Sequence, residues 1–84
     1  MALPWKEERI AQIKLPAPED SDPHPRLLVN NWGIHAGDVY EALFPDGWHD
    51  VTLEIDWEIT GPKCWYISNP EYKDISPIGL FVRY

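Results

Sequence analysis

The chain reads as a small all-β domain, on three observations. From Arg26 onward, short apolar runs are separated by turn-forming residues. Between Asp50 and Ile59, polar and apolar residues alternate without a break, the period of a half-buried strand. Five Trp, four Tyr and two Phe among 84 residues supply large side chains that suit pleated sheets and bury roughly 150 to 250 Å² each. A chain of this length forms one domain and needs such a dense core to be stable. Closure into a strongly bent five-stranded antiparallel barrel is expected, because closure protects the edges that a small open sheet exposes.

The elements follow in order. "LPWKEERIAQIKLP", residues 3–16, predicts a short N-terminal helix of about three turns, with Pro4 suited to the first turn and Ile10 and Ile13 at i, i+3 spacing. "PAPEDSDPHP", residues 16–25, carries four prolines and three acids. Proline fixes its own φ and pushes the preceding residue toward extended conformations, so this stretch predicts an arm with neither helix nor central strand. Residues 1–25 are thus expected to form an N-terminal segment and Pro-rich linker, and residues 26–84 the β-barrel domain.

Within that domain, "RLLVN" at 26–30 predicts the first strand, ended by an Asn30-Asn31-Trp32-Gly33 turn. "VYEALF" at 39–44 is the second, entered through a tight turn where Gly37 can take positive φ. Pro45, Asp46 and Gly47 make the next turn. The third strand runs from Trp48 to about Ile59, the fourth is "CWYIS" at 64–68, and "GLFVRY" at 79–84 is the fifth.

Fourteen acids against seven bases leave a formal charge of −7. That charge works against direct contact with nucleic acid or anionic membrane, each of which needs cations to neutralise phosphate, and favours a basic protein partner. No apolar run approaches the roughly 20 residues of a membrane-spanning helix, and "MALPWKEERIAQ" has charges where a signal peptide has its apolar stretch. The one cysteine, Cys64, lies in an apolar run; it excludes an intramolecular disulfide, fits a reducing cytosol, and predicts a buried small hydrophobe.

Nothing in the sequence carries catalytic chemistry. There is no Gly-rich phosphate loop, and Ser21, Ser68 and Ser76 lack the setting of a nucleophile. His24 lies in the linker, while His35 and His49 flank different turns; a metal site from His35, Asp38 and His49 needs those turns to meet and lacks a ligand spacing to support it. The expectation is a non-enzymatic protein with neither cofactor nor metal.

The third strand points instead to binding. Side chains two apart on a strand share a face, so Val51, Leu53, Ile55, Trp57 and Ile59 are expected inward, with Asp50, Thr52, Glu54, Asp56 and Glu58 outward. Acids are poor strand formers and repel one another. No Lys or Arg occurs between Arg26 and Lys63, although Asp38, Glu41 and Asp46 lie there too. At ~6.6 Å spacing the row has about half the linear charge density of a DNA strand, enough to enter a groove built for nucleic acid. Trp32, Trp48 and Tyr72, in or beside turns, are the aromatics expected as interface anchors.

The β segment, through "IHAGDVYEALFPDGWHDVTLEIDW", "WYI" and "GLFVRY", resembles a small uncharacterised domain family of phage and mobile-element proteins. The matching residues are Gly37, Asp38, Glu41, Gly47, Trp48, Glu54, Trp65, Tyr66, Gly79, Leu80, Val82 and Arg83. The likeness covers about 50 residues from Ile34 on; the stretch around "NPEYKDISP" and the Pro-rich arm depart from it. It implies an SH3-like barrel and a phage or mobile-element origin in a bacterial cytoplasm, and it brings no catalytic role. In size and charge the chain is also similar to anti-CRISPR-type phage inhibitors, which implies inhibition of nucleic-acid-handling or defence machinery. A second reading comes from the aromatics and the arm: an accessory or structural interaction module, including one that self-associates.

Overall fold

The computed structural model describes residues 9–17 and 19–84. The chain is all-β, with strands β1 (Ile10–Gln12), β2 (Leu28–Val29), β3 (Trp32–Gly33), β4 (Val39–Phe44), β5 (Gly47–Ile55), β6 (Trp65–Ile67) and β7 (Phe81–Arg83). Short 3-10 turns at Pro62–Cys64 and Pro70–Tyr72 precede and follow β6. Five strands form one antiparallel sheet in the order β1-β7-β4-β5-β6, and β2 and β3 form a separate hairpin. No pairing joins β1 to β6 among the described residues, so the sheet is open and the closed barrel is corrected to an open five-stranded sheet with a hairpin beside it.

The expected N-terminal helix is also corrected. Leu3 to Glu8 lie outside the described residues, but Ile10–Gln12 is a strand paired with β7 at Ile10↔Arg83, Ala11↔Val82 and Gln12↔Phe81. Burial there has period two: Ile10 is exposed, Ala11 half-buried, Gln12 exposed and Ile13 buried. The i, i+3 spacing of two isoleucines could not distinguish the periods. A short isolated helix is marginal in water, whereas the strand gains backbone partners, the Ile13 N–H donating to the Leu80 carbonyl and the Lys14 N–H to the Leu28 carbonyl.

"RLLVN" is likewise relocated. Only Leu28–Val29 is strand, and it pairs with Trp32–Gly33, not with the main sheet's strands, apart from a bridge to Lys14. Asn30 and Asn31 both take positive φ, 50° and 67°, the geometry of a two-residue hairpin turn, which asparagine tolerates better than other side chains.

The core lies between the sheet's inner face and this hairpin. Val51, Leu53, Ala42 and Val82 come from the sheet, Leu27 and Val29 from the hairpin side, with Ile13, Ile34 and Ile67 completing it. The described residues of the Pro-rich stretch form neither helix nor strand, yet they are tied down: the buried Trp65 indole N–H donates to the Pro25 carbonyl at 2.8 Å, and the Gly61 N–H donates to the Pro23 carbonyl at 2.7 Å.

Candidate functional site

The third strand is shorter than its alternation implies. Through residue 55 the reading holds: Val51 and Leu53 are fully buried, and Asp50, Thr52 and Glu54 occupy the opposite face. At Asp56 the chain turns. The Asp56 N–H donates to the Cys64 carbonyl, the Asp56 carboxylate accepts the Glu58 N–H at 3.0 Å, and the Ile59 N–H donates to the Asp56 carbonyl. An aspartate that caps its own following backbone competes with the sheet ladder and ends it. Asp56 and Glu58 therefore leave the row of Asp50 and Glu54, and Trp57 and Ile59, expected inside, are exposed.

This relocation builds a different acidic surface. Trp57 is 65% exposed and meets His24 edge to face, with ring centroids 4.9 Å apart, while His24 Nε2 lies 3.0 Å from the Trp57 carbonyl. The linker brings its own acids to the same place. Asp20 accepts the Asp22 N–H and Asp22 accepts the His24 N–H, a succession of side-chain-capped turns. Asp20, Asp22, His24 and Trp57 line a cleft of about 510 Å³ with Arg26 and His35. Among the described residues, Asp20, Asp22, Asp56 and Glu58 have no cation within ion-pair distance. The sequence placed Asp20 and Asp22 in a linker and gave no signal that the linker folds onto the β5 end.

Gly61 positions this end. Its φ of 85° and ψ of 179° lie in a region essentially restricted to glycine, and this geometry turns the chain into the 3-10 turn while its N–H holds Pro23. Beneath, Cys64 is fully buried. Burial pushes its thiol above the ordinary value, and the Asp22 and Asp56 carboxylates add to the push.

The remaining sequence-predicted residues divide between two places. At the β4–β5 turn, Asp46 pairs with His49 at 2.9 Å, and Tyr72 is half-buried and stacked on Phe44 with centroids 4.3 Å apart. Burial and the nearby Asp46 and Glu71 carboxylates raise the Tyr72 hydroxyl. Trp48 is half-buried under the Arg83 guanidinium, 3.9 Å from its ring centroid. Both aromatics are half-buried and in contact with neighbours within the fold.

Where β4 begins and β7 ends, Trp32, Glu41 and Asp50 are brought together at a cleft of about 760 Å³, lined also by Val29 and Tyr40 from the core side and by Val39, Tyr84 and Arg83. Trp32 is 75% exposed. Glu41 stands directly opposite Asp50 across β4 and β5 and opposite Arg83 across β4 and β7, with the Arg83–Glu41 ion pair at 3.7 Å. Val39 and Tyr84 were not singled out from sequence, and Arg83 only within the family resemblance; the pairing of β4 with β7 brings them to one cleft. Asp38 caps the His35 N–H at 2.8 Å; burial, then the Asp38 carboxylate, raises the neighbouring Tyr40 hydroxyl.

The two histidine–aspartate pairs, His35–Asp38 and His49–Asp46, are separate. Among the described residues no three metal-ligating side chains converge, and no helix is long and apolar enough to cross a membrane. In comparisons with known proteins, no family model, no curated protein and no solved structure matches this chain.

Proposed function

We propose that this is a non-catalytic binding protein that engages a basic protein surface through the acidic end built by the linker and the β5–β6 turn. The observation that carries this reading is an exposed Trp57 standing between Asp56 and Glu58, with Asp20 and Asp22 in the same cleft. A rigid aromatic that excludes water, surrounded by carboxylates, is the combination that anchors and orients a lysine- or arginine-bearing partner. Charge of this density also speeds encounter with such a partner and disfavours nucleic acid itself.

The finer reading follows from the family resemblance. The strand order, with the terminal strand between β1 and β4 and a 3-10 turn ahead of it, supports an SH3-like relationship for the open sheet. The protein is then of phage or mobile-element type and acts in the bacterial cytoplasm. It occupies a basic surface that host nucleic-acid-handling or defence machinery uses, in the manner of anti-CRISPR-type inhibitors.

The experiment is affinity capture from bacterial lysate with three baits: the wild type, Trp57→Ala, and a neutralised form carrying Asp20→Asn, Asp22→Asn, Asp56→Asn and Glu58→Gln. Asparagine keeps the carbonyl oxygen that caps the turns and removes only charge. A basic nucleic-acid-binding protein retained by the wild type and lost by both variants supports the reading. Equal retention by all three, with each bait folded, contradicts it.

A further inference from the structure

The outward face of an open antiparallel sheet is ordinarily polar, with the core on the other side. Here the outward positions of β1, β7 and β4 include, beside Gln12, Arg83 and Glu41, the apolar Ile10, Phe81, Val39 and Leu43, all exposed: Val39 60%, Phe81 48%, Leu43 43%. Scattered exposed apolar residues need no explanation, but a contiguous patch does. The register joins part of this one, at Phe81 and Leu43. Ile10, Arg83, Glu41 and Asp50 form a row across β1, β7, β4 and β5. Two residues along, Gln12 pairs with Phe81 and Leu43 with Trp48, so continuing the β4–β7 register places Phe81 beside Leu43.

The charges on this face are as informative as its apolar area. Arg83 stands on one side of the β4–β7 line and Glu41 on the other, with Asp50 beyond it, and Arg9 lines the same cleft. The face is therefore not uniformly acidic and does not suit a basic partner as the β5 end does. About the line between β4 and β7, Arg83 stands opposite Glu41 and Phe81 opposite Leu43, so at its centre the face carries the complementary pairs it needs in order to meet a copy of itself.

We propose that this outer face is a homodimer interface, with the two-fold axis parallel to the strands and lying between β4 and β7. Rotation about that line sets Arg83 of each copy over the other's Glu41 and Phe81 over the other's Leu43. The four charges alternate in sign around the axis. Arg83 has five N–H donors, so its contact with Glu41 of its own chain leaves others for the second copy, while its guanidinium packed on Trp48 supplies a flat floor. Sheets stacked in this way hold their strands within about 30° of each other. The acidic ends around Trp57 stay outside the contact, so each dimer presents two.

Sedimentation of the full chain tests this at moderate salt across a wide concentration range, where apolar burial persists and exposed ion pairs are screened. The wild type is expected to dimerise. Leu43→Asp should weaken dimerisation by at least ~30-fold, the effect of losing one interface hot spot. Glu41→Lys and Arg83→Glu should each sediment as monomers and form a mixed dimer when combined in equal amounts, because the swapped charges are then complementary across the axis. Circular dichroism confirms that each variant is folded, and the mixing result is independent of Leu43. A wild type that remains monomeric at ~1 mM, a Leu43→Asp dimer of unchanged affinity, or folded charge variants that fail to pair on mixing overturns the proposal. The acidic-end reading uses other residues and is unaffected by any of these outcomes.

Discussion

Gly61 and Cys64 show how individual residues hold the acidic end in place. A Cβ at Gly61 would have open space around it, so Gly61→Ala isolates the backbone conformation from packing. Its φ of 85° and ψ of 179° predict a loss of about 1–3 kcal/mol on substitution, measurable as a lower denaturant midpoint with an unchanged slope. Trp65→Phe leaves the Pro25 carbonyl without its indole donor and should cost about 1–3 kcal/mol. The Cys64 thiol is raised chiefly by burial, so it should resist alkylation at mildly alkaline pH until the protein unfolds. The sign of the linkage follows: the unfolded chain loses this proton first, so the contribution of Cys64 to stability is full below the ordinary thiol range and declines as pH rises through it toward the folded value. Alkylation of the native protein as fast as of the denatured chain would contradict the assignment.

At the scale of elements, legibility from sequence tracked how local the deciding interactions are. β4 was legible to its boundaries, because "VYEALF" is enclosed by Gly37-Asp38 and Pro45-Asp46-Gly47, whose turn chemistry is intrinsic. β5 was legible to Ile55 and not beyond. Its alternation continues through Trp57 and Ile59, but Asp56 caps the backbone into a turn and Trp57 packs on His24, a residue 33 positions away in the chain. β1 was misread because Ile10 and Ile13 fit either period, and only β7 as a neighbour decides for the strand. The acidic end was half legible: Asp56 and Glu58 were identified as acids of interest, whereas Asp20 and Asp22 join them through tertiary contacts of a stretch whose composition signals only the absence of regular structure. Ile13 tests the place of β1 in the fold. It is buried in the core shared with Leu27 and Val82, so Ile13→Ala should cost about 2–5 kcal/mol, a value an arm outside the folded unit would not give.

For the whole molecule, the −7 charge and its uneven placement dominate. The outer sheet face sets Arg83 among Glu41, Asp50 and Glu54, while the end around Trp57 gathers acids from two distant stretches of chain. One molecule thus has a face of mixed charge with apolar side chains at its centre and an acidic, aromatic end, and the two should respond differently to salt. The central claim, that the acidic end receives a basic partner, is tested most directly by an amide and indole NMR titration of the full chain with a short arginine- and lysine-rich peptide. The account predicts saturable shifts at the Trp57 indole and across residues 20–24 and 56–59, fading as salt is raised and absent from the Asp20/Asp22/Asp56/Glu58 neutralised form. Shifts confined to other surfaces, or none at the Trp57 indole at low salt, would contradict it.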